Sequence, residues 1–360
     1  MYDTQEPTKR AFLVTIYERD EKSDVSSEKE LISLCRTLEL EIAGEEAVHI
    51  REYTAKFGMG TGKAAEIAEK AKSVYADCII FGNILDPSKQ RNWEELTGIS
   101  VMDRQELIVR IFAERAQTKE AELQVELARL EYSLPRLRHK YIDLSRQQGG
   151  RYGTKGSGET KFETDRRIVE QRIRKLKEDL VRVRRTRETQ RKRRKRQPVP
   201  ICVLVGYTNA GKSSLLNALA NADVFVEDKL FATLDAATRT LPLGGKTILI
   251  TDTVGFIRNL PHTLVDAFRS TLEETTLADL LIHVLDASDT DIDRSCETTL
   301  SVLRELGADS IPLVTVLNKA DRLSSEALED LQRRYPDALT ISAKTRMGLN
   351  SFKSFLNEYF

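Results

Sequence analysis

The 360-residue sequence predicts an α/β protein made of three parts. Apolar runs typical of buried strands alternate with amphipathic helical segments at both ends of the chain, which is typical of sheets covered by helices. The middle instead carries two heptad seams separated by a glycine-rich stretch, which predicts an antiparallel helical hairpin, or coiled coil. We therefore expect a small α/β subdomain over residues 1–102, the hairpin over 103–197 and a larger α/β domain over 198–360.

The N-terminal subdomain is predicted from two apolar runs and two amphipathic segments. Residues 12–16 and 78–81 are expected as buried strands, and residues 28–40 and 63–74 as helices. Residues 58–63, Gly-Met-Gly-Thr-Gly-Lys, superficially resemble a phosphate-binding loop. Ala64 follows the lysine, however, so the hydroxyl that such a loop offers to a metal is missing. We expect a strand-to-helix turn that faces RNA through Lys56 and Lys63; a second nucleotide site, for ATP, is the alternative.

The hairpin is predicted from apolar residues that recur at alternating steps of four and three. The first seam comprises Leu123, Leu127, Leu130, Leu134, Leu137, Tyr141 and Leu144, and the second comprises Val169, Ile173, Leu176, Leu180 and Val183. Residues 149–158 between the seams are too rich in glycine to continue a helix. Pro135 removes a helical hydrogen bond, so we expect a kink or an interruption in the first arm.

Charge singles out the same middle segment. Residues 1–102 contain 13 basic and 19 acidic residues, residues 103–197 contain 28 and 15, and residues 198–360 contain 15 and 22. A basic arm between acidic domains indicates a polyanion partner, with a solvated basic helix face as the alternative. The predicted tip, about residues 146–160, is cationic, and Tyr152 and Phe162 could stack on unpaired bases. An ordinary disordered connector is the alternative for the tip.

The third part contains a phosphate-binding loop in its proper context. Residues 201–205 form a short apolar strand and residues 215–219 open an amphipathic helix. Between them lies Gly206-Tyr207-Thr208-Asn209-Ala210-Gly211-Lys212-Ser213, followed by Ser214, a full match to G-x-x-x-x-G-K-[ST]. Glycines let backbone N–H groups turn toward phosphates, the helix N-terminus adds positive potential, and Lys212 adds a charge. A chance glycine-rich turn is the alternative to nucleoside triphosphate binding.

Two downstream motifs select the base. Asn318-Lys319-Ala320-Asp321 follows the apolar run 313–317, at the strand end where open α/β sheets bind ligands. The carboxylate of Asp321 can accept two hydrogen bonds from guanine, whereas adenine offers no donor on that edge. Ser342-Ala343-Lys344 would bring a backbone N–H to the guanine oxygen. Each motif alone fits a surface turn, but their order after the phosphate loop favours GTP.

The remaining candidates concern Mg²⁺ and catalysis. In Asp252-Thr253-Val254-Gly255 the carboxylate would hold Mg²⁺ through water, and the Gly255 N–H would reach the γ-phosphate. Ser213 is the expected direct ligand of Mg²⁺. The segment that begins at Phe231 is expected beside the nucleotide, and its Thr233 is the candidate switch threonine, which touches Mg²⁺ only when the γ-phosphate is present. Thr238 and Thr240 are the nearby alternatives. Lys212, Thr233 and Gly255 are the candidate catalytic residues. Phe256 stands where many GTPases place a water-orienting glutamine, so intrinsic hydrolysis should be slow.

Composition limits the remaining function classes. The four cysteines are far apart and show no C-x-x-C spacing, which favours reduced thiols in a cytoplasmic protein. No apolar run approaches the roughly 18 residues of a membrane span. We expect an intracellular protein that acts as a monomer.

With these residues in view, the chain resembles the HflX family of GTPases. The resemblance rests on the phosphate loop, on residues 231–235, 252–258, 260–262 and 267–274, and, outside the GTPase segment, on residues 103–104, 130–137 and 156–167. Ser214 and residues 153–155 depart slightly from the family pattern. The resemblance implies a P-loop GTPase domain and a protein that binds the large ribosomal subunit and its RNA. It further implies that the hairpin tip enters near the peptidyl-transferase centre and that stalled ribosomes are split under stress. An RNA chaperone or helicase-like NTPase acting through the N-terminal region, or a signalling switch with protein effectors, are the alternatives.

Overall fold

The computed structural model describes residues 9–18, 24–147, 157–194, 199–220, 229–234, 236–258 and 275–360. Residues 148–156 of the predicted tip, the end of the basic run at 195–197, and the family segments at 260–262 and 267–274 lie outside the described residues. The chain packs as two compact units. The first comprises Met1–Glu114 and Val125–Asp179, and the second comprises Arg115–Gln124 and Leu180–Phe360.

The first unit is built on a four-stranded parallel sheet of order β2-β1-β3-β4. Its strands are β1 (Arg10–Glu18), β2 (Glu41–Ile50), β3 (Cys78–Phe81) and β4 (Ser100–Asp103). Its connecting helices are α1 (Val25–Thr37), α2 (Thr61–Ser73), α3 (Pro87–Thr97) and α4 (Arg104–Arg115). The indole of Trp93 is fully buried beside Phe81 and Phe57, and its N–H donates to the Phe57 carbonyl at 3.0 Å.

The glycine-rich segment at residues 58–63 forms the turn into α2, which begins at Thr61. The ammonium group of Lys63 lies 2.8 Å from a Glu46 carboxylate oxygen and 2.9 Å from one of Glu66. The lysine of this segment is therefore engaged by two carboxylates, unlike Lys212 in the phosphate loop described below.

Two long helices follow, α5 (Lys119–Gln147) and α6 (Ser157–Arg194). Within the first unit they are joined by ion pairs from Arg172 to Glu126, at 2.7 Å, and from Lys177 to Glu131, at 2.8 Å. Seam residues that are buried include Leu127, Ile173 and Leu176. These contacts are consistent with the predicted antiparallel hairpin.

Helix α5 runs through Pro135 without a break, so of the two predicted outcomes the interruption is wrong and the kink stays a prediction. Side chains on both sides of the proline hold the turn in place. Tyr132 is buried, and the guanidinium of Arg136 lies 3.4 Å from the centre of its ring and donates to its carbonyl at 2.9 Å. These tertiary contacts offset the helical hydrogen bond that proline cannot make.

The carboxylate of Asp103, at the end of β4, connects α5 to the sheet. It is completely buried and accepts hydrogen bonds from Leu85 N at 3.1 Å, Glu106 N at 2.9 Å and the Tyr132 hydroxyl at 3.0 Å. Its fourth partner is the guanidinium of Arg136, at 3.2 Å. Burial raises the pKa of Asp103, and the hydrogen bonds and the charge of Arg136 act in the opposite direction. We call this group the Asp103 hub.

The second unit contains a six-stranded sheet of order β10-β9-β8-β5-β7-β6, parallel except for β6, which runs antiparallel to β7. The strands are β5 (Ile201–Val205), β6 (Ala237–Leu243), β7 (Lys246–Asp252), β8 (Leu280–Asp286), β9 (Leu313–Asn318) and β10 (Leu339–Thr340). The helices are α7 (Lys212–Ala220), α8 (Ile292–Glu305), α9 (Ser325–Arg334) and α10 (Leu349–Tyr359). The motif residues cluster beyond the carboxyl ends of β5, β7 and β9, as expected for ligand sites of open α/β sheets. Within the described part of the chain, no helix combines the length and apolar character that a bilayer crossing requires.

Candidate nucleotide and magnesium site

The phosphate loop connects the end of β5 to the first residue of α7, and two of its glycines are required by space. Gly206 has φ of 148°, and a Cβ there would lie 2.3 Å from the Val284 carbonyl oxygen. Gly211 has φ of 90°, and a Cβ there would lie 2.3 Å from Asn318 Nδ2. Both positions therefore exclude any side chain, and the loop passes directly against β8 and β9.

The side chain of Lys212 is held in place by carbonyl groups of this loop. Its side chain is buried, and its ammonium group donates to the carbonyls of Gly206 at 3.0 Å and Tyr207 at 2.8 Å. Burial lowers the pKa of Lys212 to about 8, although the nearby carboxylate of Asp252 partly opposes this shift. A buried cation with little compensating charge is a strong point of attraction for a phosphate.

Three oxygen side chains from separate segments meet beside Lys212. The Ser213 hydroxyl lies 2.6 Å from the Thr233 hydroxyl and donates to Asp252 Oδ2 at 2.5 Å. Asp252 is completely buried, burial raises its pKa, and its Oδ1 has no hydrogen-bond partner among the described residues. Hydroxyl and carboxylate oxygens are the ligands that Mg²⁺ prefers, and the unpartnered Oδ1 leaves an acceptor for a metal-bound water. These three residues therefore fit a magnesium site.

The structure also separates Thr233 from its neighbouring alternatives. Thr238 lies in β6, where its hydroxyl is 3.0 Å from that of Thr251 in β7, and Thr240 lies further along the same strand. Thr233 alone of the three contacts Ser213 in the described structure.

Gly255 and Phe256 lie in the segment after β7, which ends at Asp252. Gly255 contacts the phosphate loop, whereas the side chain of Phe256 is in the core. A Cβ on Gly255 would lie 2.6 Å from Thr208 Cα and 2.9 Å from the Lys212 ammonium, so this backbone touches the phosphate loop. The ring of Phe256 is 2% exposed and belongs to an apolar cluster with Val203 and Leu281. It therefore contributes to the core and supplies no polar group to a water molecule.

The base-recognition motifs are tied to the phosphate loop by the side chain of Asn318. Its amide donates to the Ala210 carbonyl at 2.9 Å and accepts from the Ala343 N–H at 3.0 Å. The Ser342 hydroxyl donates to Asp321 Oδ1 at 2.5 Å, which orients that carboxylate. Asp321 and Lys344 are exposed, so both remain accessible to a purine.

Several contacts at this site were not predicted from the sequence. Phe231, with φ of 56°, donates its N–H to the Thr208 hydroxyl at 2.9 Å and so closes one side of the loop. The ammonium of Lys319, whose φ is 62°, lies 2.8 Å from Asp286 Oδ2. Asp286 ends the apolar strand β8 at the same sheet edge as the motifs, and this position was the signal that could have identified it.

A second cleft, of about 1170 Å³, lies in the first unit beside α3, α4 and β4. Its charged side chains include pairs such as Arg110 with Glu106, at 2.6 Å. The cavity at the phosphate loop is only about 40 Å³, yet it is lined by Lys212, Ser213, Thr233 and Gly255. Convergent chemistry, rather than volume, therefore favours the phosphate loop as the candidate nucleotide site.

Comparison with protein families divides the chain in the same order. Residues 26–113 match a family described as GTP-binding GTPase N-terminal, and residues 115–194 match the GTP-binding GTPase middle region. Residues 201–319 match a family described as 50S ribosome-binding GTPase.

Curated relatives match over nearly the whole chain. The GTPase HflX of Akkermansia muciniphila is 50% identical over 91% of this chain and 78% of its own length. That of Treponema denticola is 44% identical over 99% and 98%, and that of Escherichia coli is 41% identical over 99% and 83%.

Solved structures show the same fold. The complex of SsGBP with GDP is 27% identical, with a TM-score of 0.54 and 98% of each chain covered. A GTP-binding protein from Sulfolobus solfataricus in complex with GDP is 25% identical, with a TM-score of 0.50 and the same coverage. The predicted α/β fold and the resemblance stated above are thus confirmed, and the chain belongs to the HflX family of GTPases, which bind and hydrolyse GTP.

Proposed function

We propose that this protein acts in the cytoplasm as a GTPase that binds the large ribosomal subunit and splits or rescues stalled ribosomes. The observation that carries the proposal is a pair of long helices, the second of them strongly basic, in the same chain as a GTPase domain. At about 1.5 Å per residue, helices of 29 and 38 residues extend roughly 43 and 57 Å, far enough to reach deep into a large assembly. The description of the family matched by residues 201–319 names the 50S ribosome, which supports the same partner.

In this proposal the nucleotide site uses the residues brought together beyond β5, β7 and β9. Lys212 and the backbone of residues 206–214 bind the phosphates, while Asp321, Asn318 and Ser342 recognise guanine. Ser213 and Thr233 would hold Mg²⁺ directly and Asp252 would hold it through water, and the metal would supply positive charge against the charge that develops on the phosphates. Gly255 offers its N–H to the γ-phosphate, and the partner completes the hydrolytic site because Phe256 is in the core.

The hairpin arm provides the link to RNA. The arm is rich in arginine and lysine, and exposed residues such as Arg167 and Lys175 lie on α6 outside its buried seam. Because such side chains would neutralise RNA phosphates, the affinity for RNA should fall as the salt concentration rises. ATP binding at the N-terminal turn is the weaker alternative, because Lys63 is already held by Glu46 and Glu66.

A sedimentation experiment tests the proposal. Purified ribosomes are mixed with the protein and a non-hydrolysable GTP analogue, and subunit separation is followed in a sucrose gradient. Changing Arg151 and Lys155 to Glu, or deleting residues 150–157, should abolish splitting and leave GTP affinity unchanged. Changing Lys246 and Arg333 to Glu, two exposed cations of the GTPase domain, is the matched control with the same charge change. Wild-type splitting by the tip variants would refute the role of the hairpin tip.

A further inference from the structure

Asp286, at the carboxyl end of β8, forms an ion pair with Lys319 of the Asn318-Lys319-Ala320-Asp321 motif. Its Oδ2 lies 2.8 Å from the Lys319 ammonium, and the two side chains are only 21% and 14% exposed. Its Oδ1 accepts from the backbone N–H of Ser288 at 2.9 Å and from the Ser288 hydroxyl at 2.6 Å. Because both oxygens are engaged, the carboxylate is held in one orientation toward Lys319.

The backbone of Lys319 depends on contacts from outside its own motif. Asp286 lies opposite Asn318 in the parallel pairing of β8 with β9, and the Ala287 N–H donates to the Asn318 carbonyl at 2.8 Å. Directly after this pairing Lys319 has φ of 62° and ψ of 28°, in the left-handed region that residues with a Cβ rarely adopt. Such a conformation persists where surrounding contacts hold it. The ion pair with Asp286 is one of these contacts.

The stem of Lys319 passes beside the phosphate loop. Its Cε lies 3.9 Å from the point where a Cβ on Gly211 would be, so the stem runs close to this glycine. Burial is the main cause that lowers the pKa of Lys212, and the charge of Lys319 lowers it further, so two cations lie near the loop. Asp286 supplies the negative charge that a partly buried second cation requires.

We propose that Asp286 is a positioning residue for guanine nucleotides, because it holds Lys319 so that the stem of this lysine stays beside Gly211. The pair joins the turn that carries Asp321 to the loop that carries Lys212. GDP and GTP both use these two segments, so Asp286 should act equally on the two nucleotides. The inference rests on the nucleotide site proposed above and does not depend on the ribosome.

A double-mutant cycle on the full chain tests this role. Asp286→Asn keeps the shape of the side chain and an oxygen for Ser288, but removes the charge that holds Lys319. The affinities for GDP and for guanosine 5′-(β,γ-imido)triphosphate should both fall by a similar factor of about 3- to 30-fold, within the range of coupling between residues in contact. Lys319→Met keeps an apolar stem and removes the ammonium group. In that background Asp286→Asn should cause no further loss, because the group through which Asp286 acts is gone.

Two variants separate positioning from a structural role of the same loop. Asp289→Asn is the matched control, since this nearby carboxylate accepts from Asp291 N at 2.9 Å and from the Ser295 hydroxyl at 2.8 Å. It removes the same charge and should leave both affinities within about 2-fold of the wild type. Ser288→Ala removes the hydroxyl partner of Asp286 and leaves the ion pair, so it should weaken binding less than Asp286→Asn does.

Unchanged or increased affinity in Asp286→Asn would overturn the proposal. So would a loss confined to the triphosphate, an equal loss in Ser288→Ala, or the same loss from Asp286→Asn in the Lys319→Met background as in the wild type. Lys212→Ala identifies the other failure. If that variant binds both nucleotides normally, the assignment of the phosphate site is wrong, whatever Asp286 does.

Discussion

Replacing Arg136 with Met should destabilise the first unit, because it removes the counter-charge of the Asp103 hub. Methionine is an unbranched apolar side chain of similar length, but it loses the ion pair at 3.2 Å, the contact of the guanidinium with the Tyr132 ring, and the hydrogen bonds to Gln90, Tyr132 and Leu85. Removing one partner of a buried ion pair costs about 3–5 kcal/mol. Arg136 is 18% exposed and Asp103 keeps three other donors, so we expect about 2–4 kcal/mol.

The loss should also depend on pH. Burial raises the pKa of Asp103 and the charge of Arg136 opposes that effect, so the variant raises the pKa further. Between the unfolded and the folded pKa, the folded protein binds more protons than the unfolded chain, and the free energy of unfolding therefore falls as pH rises. The destabilisation should thus be smaller at about pH 5 than at about pH 8.

Urea unfolding followed by fluorescence measures this effect directly. The only tryptophan of the sequence, Trp93, is completely buried in the same unit and reports its unfolding. Arg129→Met is the control, since Arg129 is an exposed arginine on the same helix. A loss below about 1 kcal/mol, or one equal to the control at both pH values, would refute the reasoning about the Asp103 hub.

Three other predictions concern the GTPase unit. Asp321→Asn should shift preference from guanine toward xanthine in competition binding, because an amide donates where the carboxylate accepted, and an unshifted preference would count against the base assignment. The free protein should hydrolyse GTP well below the roughly 1–10³ s⁻¹ of typical enzymes, and large ribosomal subunits should accelerate it; a rate that ribosomes leave unchanged would exclude a partner-completed site. Burial lowers the pKa of His283 from 6.5 to about 4, so the folded unit resists its protonation and loses stability as pH falls between these values. Between pH 6.5 and pH 4, the unfolding free energy of His283→Leu should fall by up to about 3 kcal/mol less than that of the wild type. Urea unfolding at several pH values measures this, and parallel plots of unfolding free energy against pH for the two proteins would disprove it.

The sequence predicted strands and helices best where burial was continuous. The runs at residues 12–16 and 78–81 correspond to β1, most of whose residues are buried, and β3, whose four residues are all buried. Strand β2 was missed because it is an edge strand with two exposed glutamates, Glu41 and Glu45, and β4 was missed because only two of its four residues, Val101 and Met102, are apolar, whereas all four residues of β3 are. Pro135 does not interrupt the helix as predicted, because the contacts of Arg136, which only the tertiary structure reveals, hold this turn.

The order of the motifs along the chain predicted that the candidate nucleotide residues would lie at one edge of the sheet. In the structure their side chains contact one another there. Spacing could indicate that Ser213, Thr233 and Asp252 would be neighbours, because each follows a recognisable segment. It could not reveal that Tyr207 reaches Arg258, since that contact depends on the path of two loops that are 51 residues apart. Family roles assigned to these residues remain predictions until the variants are measured.

The amide of Asn318 has one further consequence. It donates to Ala210 in the phosphate loop and accepts from Ala343 in the base-recognition segment. Because one planar group spans both, the free energies of binding the purine and the phosphates are not independent quantities. A substitution that disturbs the base pocket will weaken phosphate binding as well, and in a double-mutant cycle with a phosphate-loop residue the two losses will not add. Under the proposed assignment of these residues, discrimination of the base is therefore coupled to the shape of the phosphate loop.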